Sequence, residues 1–120
     1  MKYLLMIYMN PVAFEALSED ERNAVMAGHD AFQPPLRESG ELVGFAALAD
    51  PSQSTTVRVR AGATTVTDGP YVEAKEFLAG YYAVDCDSLE RAQELAAMIP
   101  DAALTAIEVR PVMADSGLEM

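Results

Sequence analysis

The fold is decided by residues 2–9, which read KYLLMIYM. The two alternating faces of this segment are both apolar, one with Tyr3, Leu5 and Ile7 and the other with Leu4, Met6 and Tyr8. A strand with one face in water alternates apolar and polar residues, whereas a strand covered on both faces is a continuous apolar run. The sequence therefore predicts a core strand that is covered on both sides.

A helix is predicted after this strand. Ser18 and Glu21 have the spacing of a capping box, in which a hydroxyl and a carboxylate satisfy reciprocal backbone N–H groups at a helix start. An apolar stripe at helical spacing follows, made of Val25, His29, Phe32 and Leu36. Pro34 and Pro35 interrupt it, and because each ring removes a backbone donor we expect a kink or restart near Gln33.

The later segments alternate between strand and helix patterns. They predict a strand over 42–48, a hairpin over 55–67, a polar loop over 68–76, a core strand over 77–84, a helix ended by Pro100 and a strand nearer an edge over 104–112. In the hairpin, Arg58 and Arg60 alternate with valines and predict the solvated face. Asp87 and Glu90 predict the cap of the second helix.

This order predicts one α+β domain over 1–113, ferredoxin-like (βαββαβ) with an inserted β-hairpin, followed by a loose tail over 114–120. In this topology we expect the first and third core strands to be parallel neighbours and both helices to cover one sheet face. The other face is apolar and has nothing in the chain to cover it. A homodimer that pairs sheet against sheet would cover it.

Composition excludes several classes of function. The 120 residues carry 8 Lys and Arg against 19 Asp and Glu, a formal net charge of −11, so phosphate backbones are repelled and nucleic-acid binding is not expected. One Cys and one His cannot form a disulfide or a Cys/His zinc site within the chain, and no metal or other cofactor is predicted. The short apolar start resembles neither a signal peptide nor a membrane span, so we expect no membrane association and a cytoplasmic protein.

His29 is the candidate acid–base group because it is the only histidine. Spacing alone favours a packed core residue. However, the helix from Ser18 retraces the first strand, which should bring His29 toward the start of the third core strand, where the loop 68–76 enters. The carboxylate of Asp68 could then meet the imidazole, although the composition of this loop is also that of an ordinary turn.

The same loop carries a family resemblance. Asp68-Gly69-Pro70-Tyr71 resembles the signature of the DGPF subgroup of YCII-related proteins, with Tyr in place of its usual Phe, and Glu73-Ala74-Lys75-Glu76 resembles the segment that follows it. The Gly80-Tyr81-Tyr82 segment is similar to a Gly-aromatic pair beyond the signature. This resemblance implies a dimeric ferredoxin-like α/β barrel. It also implies a His paired with an Asp as a proposed active site, and relatives that transform ring compounds, for example by dehydrochlorination.

Two functions follow as hypotheses. In the first, the chain is a cofactor-free small-molecule enzyme, lyase- or isomerase-like, in which His29 moves a proton, Asp68 orients the imidazole, and Tyr71, Glu73 and Lys75 shape the substrate pocket. In the second, it is a noncatalytic dimeric sensor or accessory regulatory module. The resemblance connects this second function with extracytoplasmic-function sigma factors, beside which DGPF proteins are often encoded.

Overall fold

The computed structural model describes residues 1–117, which form two antiparallel sheets and three α-helices. The strands are β1 Lys2–Met9, β2 Leu42–Ala47, β3 Thr55–Arg60, β4 Ala63–Asp68, β5 Phe77–Asp85 and β6 Ala106–Pro111. The helices are α1 Pro11–Glu15, α2 Glu19–Ser39 and α3 Leu89–Met98, with 3₁₀ turns at Pro51–Gln53 and Pro100–Ala103. The α+β class is confirmed.

The larger sheet has the strand order β2-β5-β1-β6, and all its neighbours are antiparallel. The expectation that the first and third core strands are parallel is therefore wrong, since Leu5 of β1 lies opposite Tyr82 of the antiparallel β5. The reason is the path of the chain. After β2 the chain forms the ribbon of β3 and β4 and returns as β5, which is antiparallel to β2. Because β1 and β2 run in the same direction, β5 is antiparallel to β1 as well.

The helices α2 and α3 pack on one face of this sheet. The core there contains Tyr3, Leu5 and Ile7 of β1 together with Phe32 and Leu36 of α2, Leu95 of α3 and Ile99 directly after α3. Leu5 and Leu95 are completely buried, and each such side chain stabilises the fold by about 1.5–3 kcal/mol. On the opposite face, Leu4, Met6 and Tyr8 remain partly exposed, and no helix described in residues 1–117 packs over them.

The predicted restart of the first helix near Gln33 is wrong. The helix α2 continues through Pro34 and Pro35 to Ser39. A proline inside a helix costs about 3 kcal/mol, but Phe32 and Leu36, which flank the two rings, are both buried in the core. Their burial holds the segment on the sheet, while the proline rings lie on the exposed side.

The helix ends follow local capping chemistry. The capping box of Ser18 and Glu21 is present as predicted, and Gly40 ends α2 with φ 81°, a left-handed conformation that favours glycine. Asn10 caps the short helix α1, because its side chain accepts from the N–H groups of Val12 and Ala13. Ser88, and not Asp87, caps α3, because the Ser88 side chain accepts from the Arg91 N–H.

The ribbon of β3 and β4 forms as predicted with Arg60 exposed, but its valine face lies in solvent as well. Val57 and Val66 are 60% and 61% exposed. Arg58, expected on the solvated face, is half-buried, and its guanidinium lies 5.4 Å from the centre of the Tyr71 ring. The packing of the loop on the arginine face, rather than the polarity pattern along the strand, decides which side is covered.

The predicted loose tail is only partly described. Asp115 accepts from the Lys2 ammonium at 3.2 Å, which ties the first part of the tail to β1. Residues 118–120 lie outside the described part of the chain. Among residues 1–117, no helix combines the length and apolar character needed to cross a membrane.

Candidate functional site

His29 lies where α2, β5 and the 3₁₀ turn Pro100–Ala103 meet. Its Nε2 is 2.6 Å from a carboxylate oxygen of Asp101, and its Nδ1 is 2.8 Å from the hydroxyl of Tyr82. The three side chains come from positions far apart in the chain. Both ring nitrogens of the imidazole are therefore held by side chains of the protein.

The hydrogen-bond chemistry assigns the imidazole tautomer. An ionised carboxylate only accepts, so Nε2 of His29 carries the proton that is donated to Asp101. In the neutral imidazole Nδ1 is then the acceptor, and the hydroxyl of Tyr82 donates to it. The basic lone pair of the imidazole thus points at Tyr82, which is the side where a proton can be exchanged.

The backbone of the 3₁₀ turn holds Asp101 in place. The carbonyl of Asp101 accepts from the N–H groups of Leu104 and Thr105 at 3.0 and 2.9 Å. The Thr105 hydroxyl donates to the carbonyl of Tyr8 in β1 at 2.5 Å, so the turn is joined to the central sheet. Asp101 is only 7% exposed, and a carboxylate so buried requires the partner that His29 provides.

Aromatic rings surround the third member of the group, Tyr82. The ring of Phe32 lies 4.7 Å from the Tyr82 ring, the ring of Phe45 5.8 Å and the imidazole of His29 5.9 Å. Burial raises the pKa of Tyr82 above its ordinary value, and the charges of Asp101 and Asp30 raise it further. Tyr82 therefore stays protonated through neutral pH and serves as a hydrogen-bond donor.

The predicted partner of His29 lies elsewhere. Asp68 is an exposed residue at the end of β4, opposite Thr55. His29 lies above Tyr82, which is five residues into β5 and hence roughly 16 Å along the strand from its start. The structure thus brings His29 to Asp101 and Tyr82 and does not bring it to Asp68.

The other predicted pocket residues stay on the loop after β4. Tyr71 is 73% exposed, and Glu73 and Lys75 are also exposed. The loop borders a cavity of about 310 Å³, lined on the sheet side by Tyr8 and Leu78. Since Tyr8 belongs to the sheet face opposite the helices, this loop and His29 lie on different sides of the sheet.

Sequence reasoning missed Asp101, although a signal for it exists. Asp101 is the only charged residue between Glu94 and Glu108, in a run that is otherwise mostly apolar. An acid in such a run is buried with a partner or is excluded from the core. Because His29 is the only histidine, the pairing could have been considered from this pattern.

The remaining chemistry-bearing groups fit structural roles. Cys86 is buried, and this burial raises the pKa of its thiol, so no reactive thiolate forms at neutral pH. Arg91 donates to both carboxylate oxygens of Glu41, at 2.9 and 3.0 Å, and joins α3 to the segment before β2. Within residues 1–117, no three His, Cys, Asp or Glu side chains converge as metal ligands would.

Comparison with known proteins agrees with this architecture. The model of the YCII-related domain matches residues 1–115. The chain belongs to the YCII-related family. It is 36% identical over 114 residues to the uncharacterized protein R00369 of Rhizobium meliloti (strain 1021), an alignment that covers 93% of this chain and 92% of that protein. The YCII-related domain has a ferredoxin-like type of fold, which the four-stranded antiparallel sheet with its two packed helices reproduces.

Proposed function

We propose that this YCII-related protein is a small-molecule enzyme in which His29 transfers a proton. The carboxylate of Asp101 orients the imidazole and stabilises its protonated form. The observation that carries the proposal is the 2.6 Å contact between His29 Nε2 and the buried Asp101 carboxylate. This arrangement leaves Nδ1 as the base of the neutral imidazole, which exchanges a proton with a substrate through the Tyr82 hydroxyl that is bonded to it. A histidine held in this way contributes about 10²- to 10⁴-fold to a reaction through general acid–base catalysis.

The surroundings of Nδ1 suggest the substrate class. Tyr82 is the neutral donor at this nitrogen, and Phe45 beside it is 52% exposed on the edge strand β2. A planar or ring-containing molecule that enters at Phe45 would stack on an aromatic wall and present a C–H bond toward Tyr82 and His29. This supports a cofactor-free lyase- or isomerase-like reaction on such a substrate.

Asp68, Tyr71, Glu73 and Lys75 have a separate role in this proposal. We assign the chain to the DGPF subgroup on its Asp68-Gly69-Pro70-Tyr71 segment, as a further proposal. The Gly69 N–H donates to the Ser54 carbonyl at 2.7 Å, which closes the base of the ribbon. The segment thus forms a structural corner, and its exposed side chains border the open sheet face.

The same proposal includes a cytoplasmic homodimer formed through the open face of the larger sheet. Leu4, Met6, Tyr8 and Tyr81 lie partly exposed on this face, beside the small residues Gly44 and Ala46. Pairing two such faces buries apolar side chains that one copy leaves in water. The result is a barrel with helices outside and two sheets inside.

A second candidate function is a noncatalytic sensor or accessory regulatory module. The observation that favours it is that both nitrogens of His29 are already bonded within the protein. An imidazole with both nitrogens hydrogen-bonded can serve only to join α2 to β5 and the 3₁₀ turn, without binding a substrate. The two candidates differ in whether Nδ1 of His29 exchanges protons with a bound molecule.

The test uses deuterium exchange. A panel of ring-containing carbonyl compounds is incubated in D₂O with the wild-type protein, His29→Gln, Asp101→Asn and, as a control, the exposed-site variant Asp87→Asn, and proton NMR follows C–H exchange. We expect exchange with the wild type and the control, none with His29→Gln, and a reduction of about 10²-fold or more with Asp101→Asn. A folded His29→Gln variant that matches the wild type across the panel would show that the acid–base role is wrong.

A further inference from the structure

Two further side chains of α2 lie in line with His29. Gln33 and Arg37 follow His29 at intervals of four residues, and residues four apart lie on the same face of a helix. The guanidinium of Arg37 donates to the side-chain oxygen of Gln33 at 2.8 Å. Gln33 is half-buried and Arg37 is exposed, so this face of α2 runs from a cation at the surface to the imidazole.

The bond from Arg37 fixes how the amide of Gln33 is turned. A guanidinium can only donate, so the amide oxygen faces Arg37 and the NH₂ group is left for a different partner. That partner is the hydroxyl of Tyr82. Burial raises the pKa of Tyr82 most strongly, and a hydrogen bond with the Gln33 side chain lowers it. A hydrogen bond lowers a phenol pKa when it is donated to the phenol oxygen, because it then favours the ionised form.

The two ends of this hydrogen-bond network give it one direction. Arg37 can only donate, and the ionised Asp101 can only accept. Every bond between them therefore runs in the same sense, from Arg37 to Gln33, from Gln33 to Tyr82, from Tyr82 to His29 Nδ1 and from His29 Nε2 to Asp101. Because the Tyr82 oxygen accepts from Gln33, its single proton is left for Nδ1 of His29.

We propose that Gln33, oriented by Arg37, is a positioning residue that keeps the Tyr82 hydroxyl directed at Nδ1 of His29. This role rests on the proposed function, in which His29 is the base. When the Tyr82 oxygen takes a proton from a substrate carbon, its own proton passes to Nδ1, and the electron pair of the broken C–H bond stays on the substrate. The imidazole is then a cation beside Asp101. Without the donor from Gln33 the hydroxyl can turn away from Nδ1, which interrupts the transfer.

The first test follows the imidazole by NMR and needs no substrate. His29 is the only histidine, so isotope-labelled histidine gives one pair of ring-nitrogen signals. Gln33→Glu keeps an acceptor for Arg37 but replaces the NH₂ donor by a carboxylate oxygen, to which the Tyr82 hydroxyl then turns. On the alkaline plateau of a pH titration, where the imidazole is neutral, we expect the Nδ1 signal to move to that of an acceptor nitrogen without a hydrogen bond.

The matched control is Gln93→Glu, the same change at an exposed residue of α3, which should leave both ring-nitrogen signals unchanged. Circular dichroism checks that the variants are folded. A pair that only stabilised the helix would change the free energy of unfolding and leave the Nδ1 signal in place. An Nδ1 signal that is the same in folded Gln33→Glu and in the wild type would therefore overturn the positioning role.

The second test asks whether Arg37 acts through Gln33. Arg37→Met removes the donor and keeps an unbranched side chain, so the Nδ1 signal should move in the same direction as in Gln33→Glu. Arg37→Lys retains a donor and should restore the wild-type signal. Equal signals in Arg37→Met and the wild type would show that Arg37 does not orient the amide.

The deuterium-exchange assay separates this inference from the proposed function. We expect exchange to slow by about tenfold or more in Gln33→Glu, because the transfer through Tyr82 is interrupted. If the wild type exchanges no substrate proton while Nδ1 responds to Gln33→Glu, the enzyme is wrong and the positioning of Tyr82 stands. If the wild type is active and Nδ1 does not respond, the positioning is wrong and the enzyme stands.

Discussion

Gly28 of α2 lies against the ring of Pro100, so close that a Cβ atom at position 28 would be 2.4 Å from Pro100 Cγ. This contact brings α2 onto the 3₁₀ turn and sets the distance between the neighbouring residues His29 and Asp101. A glycine in a helix interior costs about 1 kcal/mol relative to alanine. Glycine is nevertheless present at position 28, because a side chain there would collide with the ring of Pro100.

Gly28→Ala is therefore expected to destabilise the protein although alanine is the better helix former. Overpacking of this kind costs about 1–3 kcal/mol, which exceeds the gain in helix propensity. Urea denaturation measures the free energy of unfolding. Pro100→Ala added to Gly28→Ala removes the clashing Cγ and should recover part of the loss. A Gly28→Ala variant more stable than the wild type would contradict the close approach.

His29 and Asp101 are expected to be coupled in stability. Removal of either partner leaves the other polar group buried without its hydrogen bond, which costs about 2–4 kcal/mol. A double-mutant cycle with His29→Gln and Asp101→Asn should give a coupling energy of about 1 kcal/mol or more. Asp30→Asn, at the exposed neighbour of His29, should change stability by no more than about 0.5 kcal/mol. Additive effects of the two site substitutions would contradict the pairing.

Tyr82 is expected to make stability fall at alkaline pH. Its folded-state pKa is raised above the ordinary value of 10.0, so the unfolded chain loses this proton first. The contribution is fully present below pH 10 and is lost as pH rises toward the folded pKa. Urea denaturation at a series of pH values across this range should show that the free energy of unfolding declines less for Tyr82→Phe than for the wild type. Tyr71→Phe, at an exposed residue, serves as the control and should decline as the wild type does.

Glu41 is expected to contribute stability that disappears in acid. The hydrogen bonds from Arg91 lower the pKa of Glu41 below its ordinary value of 4.5. The contribution is therefore present above pH 4.5 and is lost as pH falls through the lower, folded-state value. Glu41→Gln should be less stable than the wild type at neutral pH, and the difference should vanish in strong acid. In an Arg91→Gln background, Glu41→Gln should lose most of this pH-dependent difference, because the donor to Glu41 is gone.

Met6 tests the open sheet face. Met6→Lys places a cation in the middle of this face, between Tyr81 of β5 and Glu108 of β6, and is expected to convert the proposed dimer into monomers. Size-exclusion chromatography with light scattering gives the mass. Met26→Lys, at the exposed methionine of α2, is the matched control and should leave the proposed dimer intact. A wild-type chain that has the mass of a monomer would contradict the proposed interface.

Much of the fold could be predicted from local patterns. The apolar run of β1, the Ser18–Glu21 capping box and the alternation in the ribbon each reflect interactions between residues a few positions apart. Such interactions act in almost any tertiary setting. The break expected at Pro34 and Pro35 failed because burial of Phe32 and Leu36 outweighs a local preference.

The candidate site was only half predictable. His29 is identifiable because it is the only histidine. Its partner could not be placed, because β5 was expected to run parallel to β1 and is antiparallel to it. Asp101 is 72 positions away in sequence. Its approach depends on how α2, β5 and the 3₁₀ turn pack together, and no local spacing encodes that.

The amino-acid sequence by itself determined the elements, the acidic charge and an apolar sheet with one face left over, because these depend on side-chain chemistry and short periods. Only the tertiary structure decided that Asp101 rather than Asp68 meets His29, and that the valines of the ribbon face water while Arg58 is half-buried. Both outcomes depend on which distant surfaces come into contact, and burial in that packing is what gives each side chain its partner.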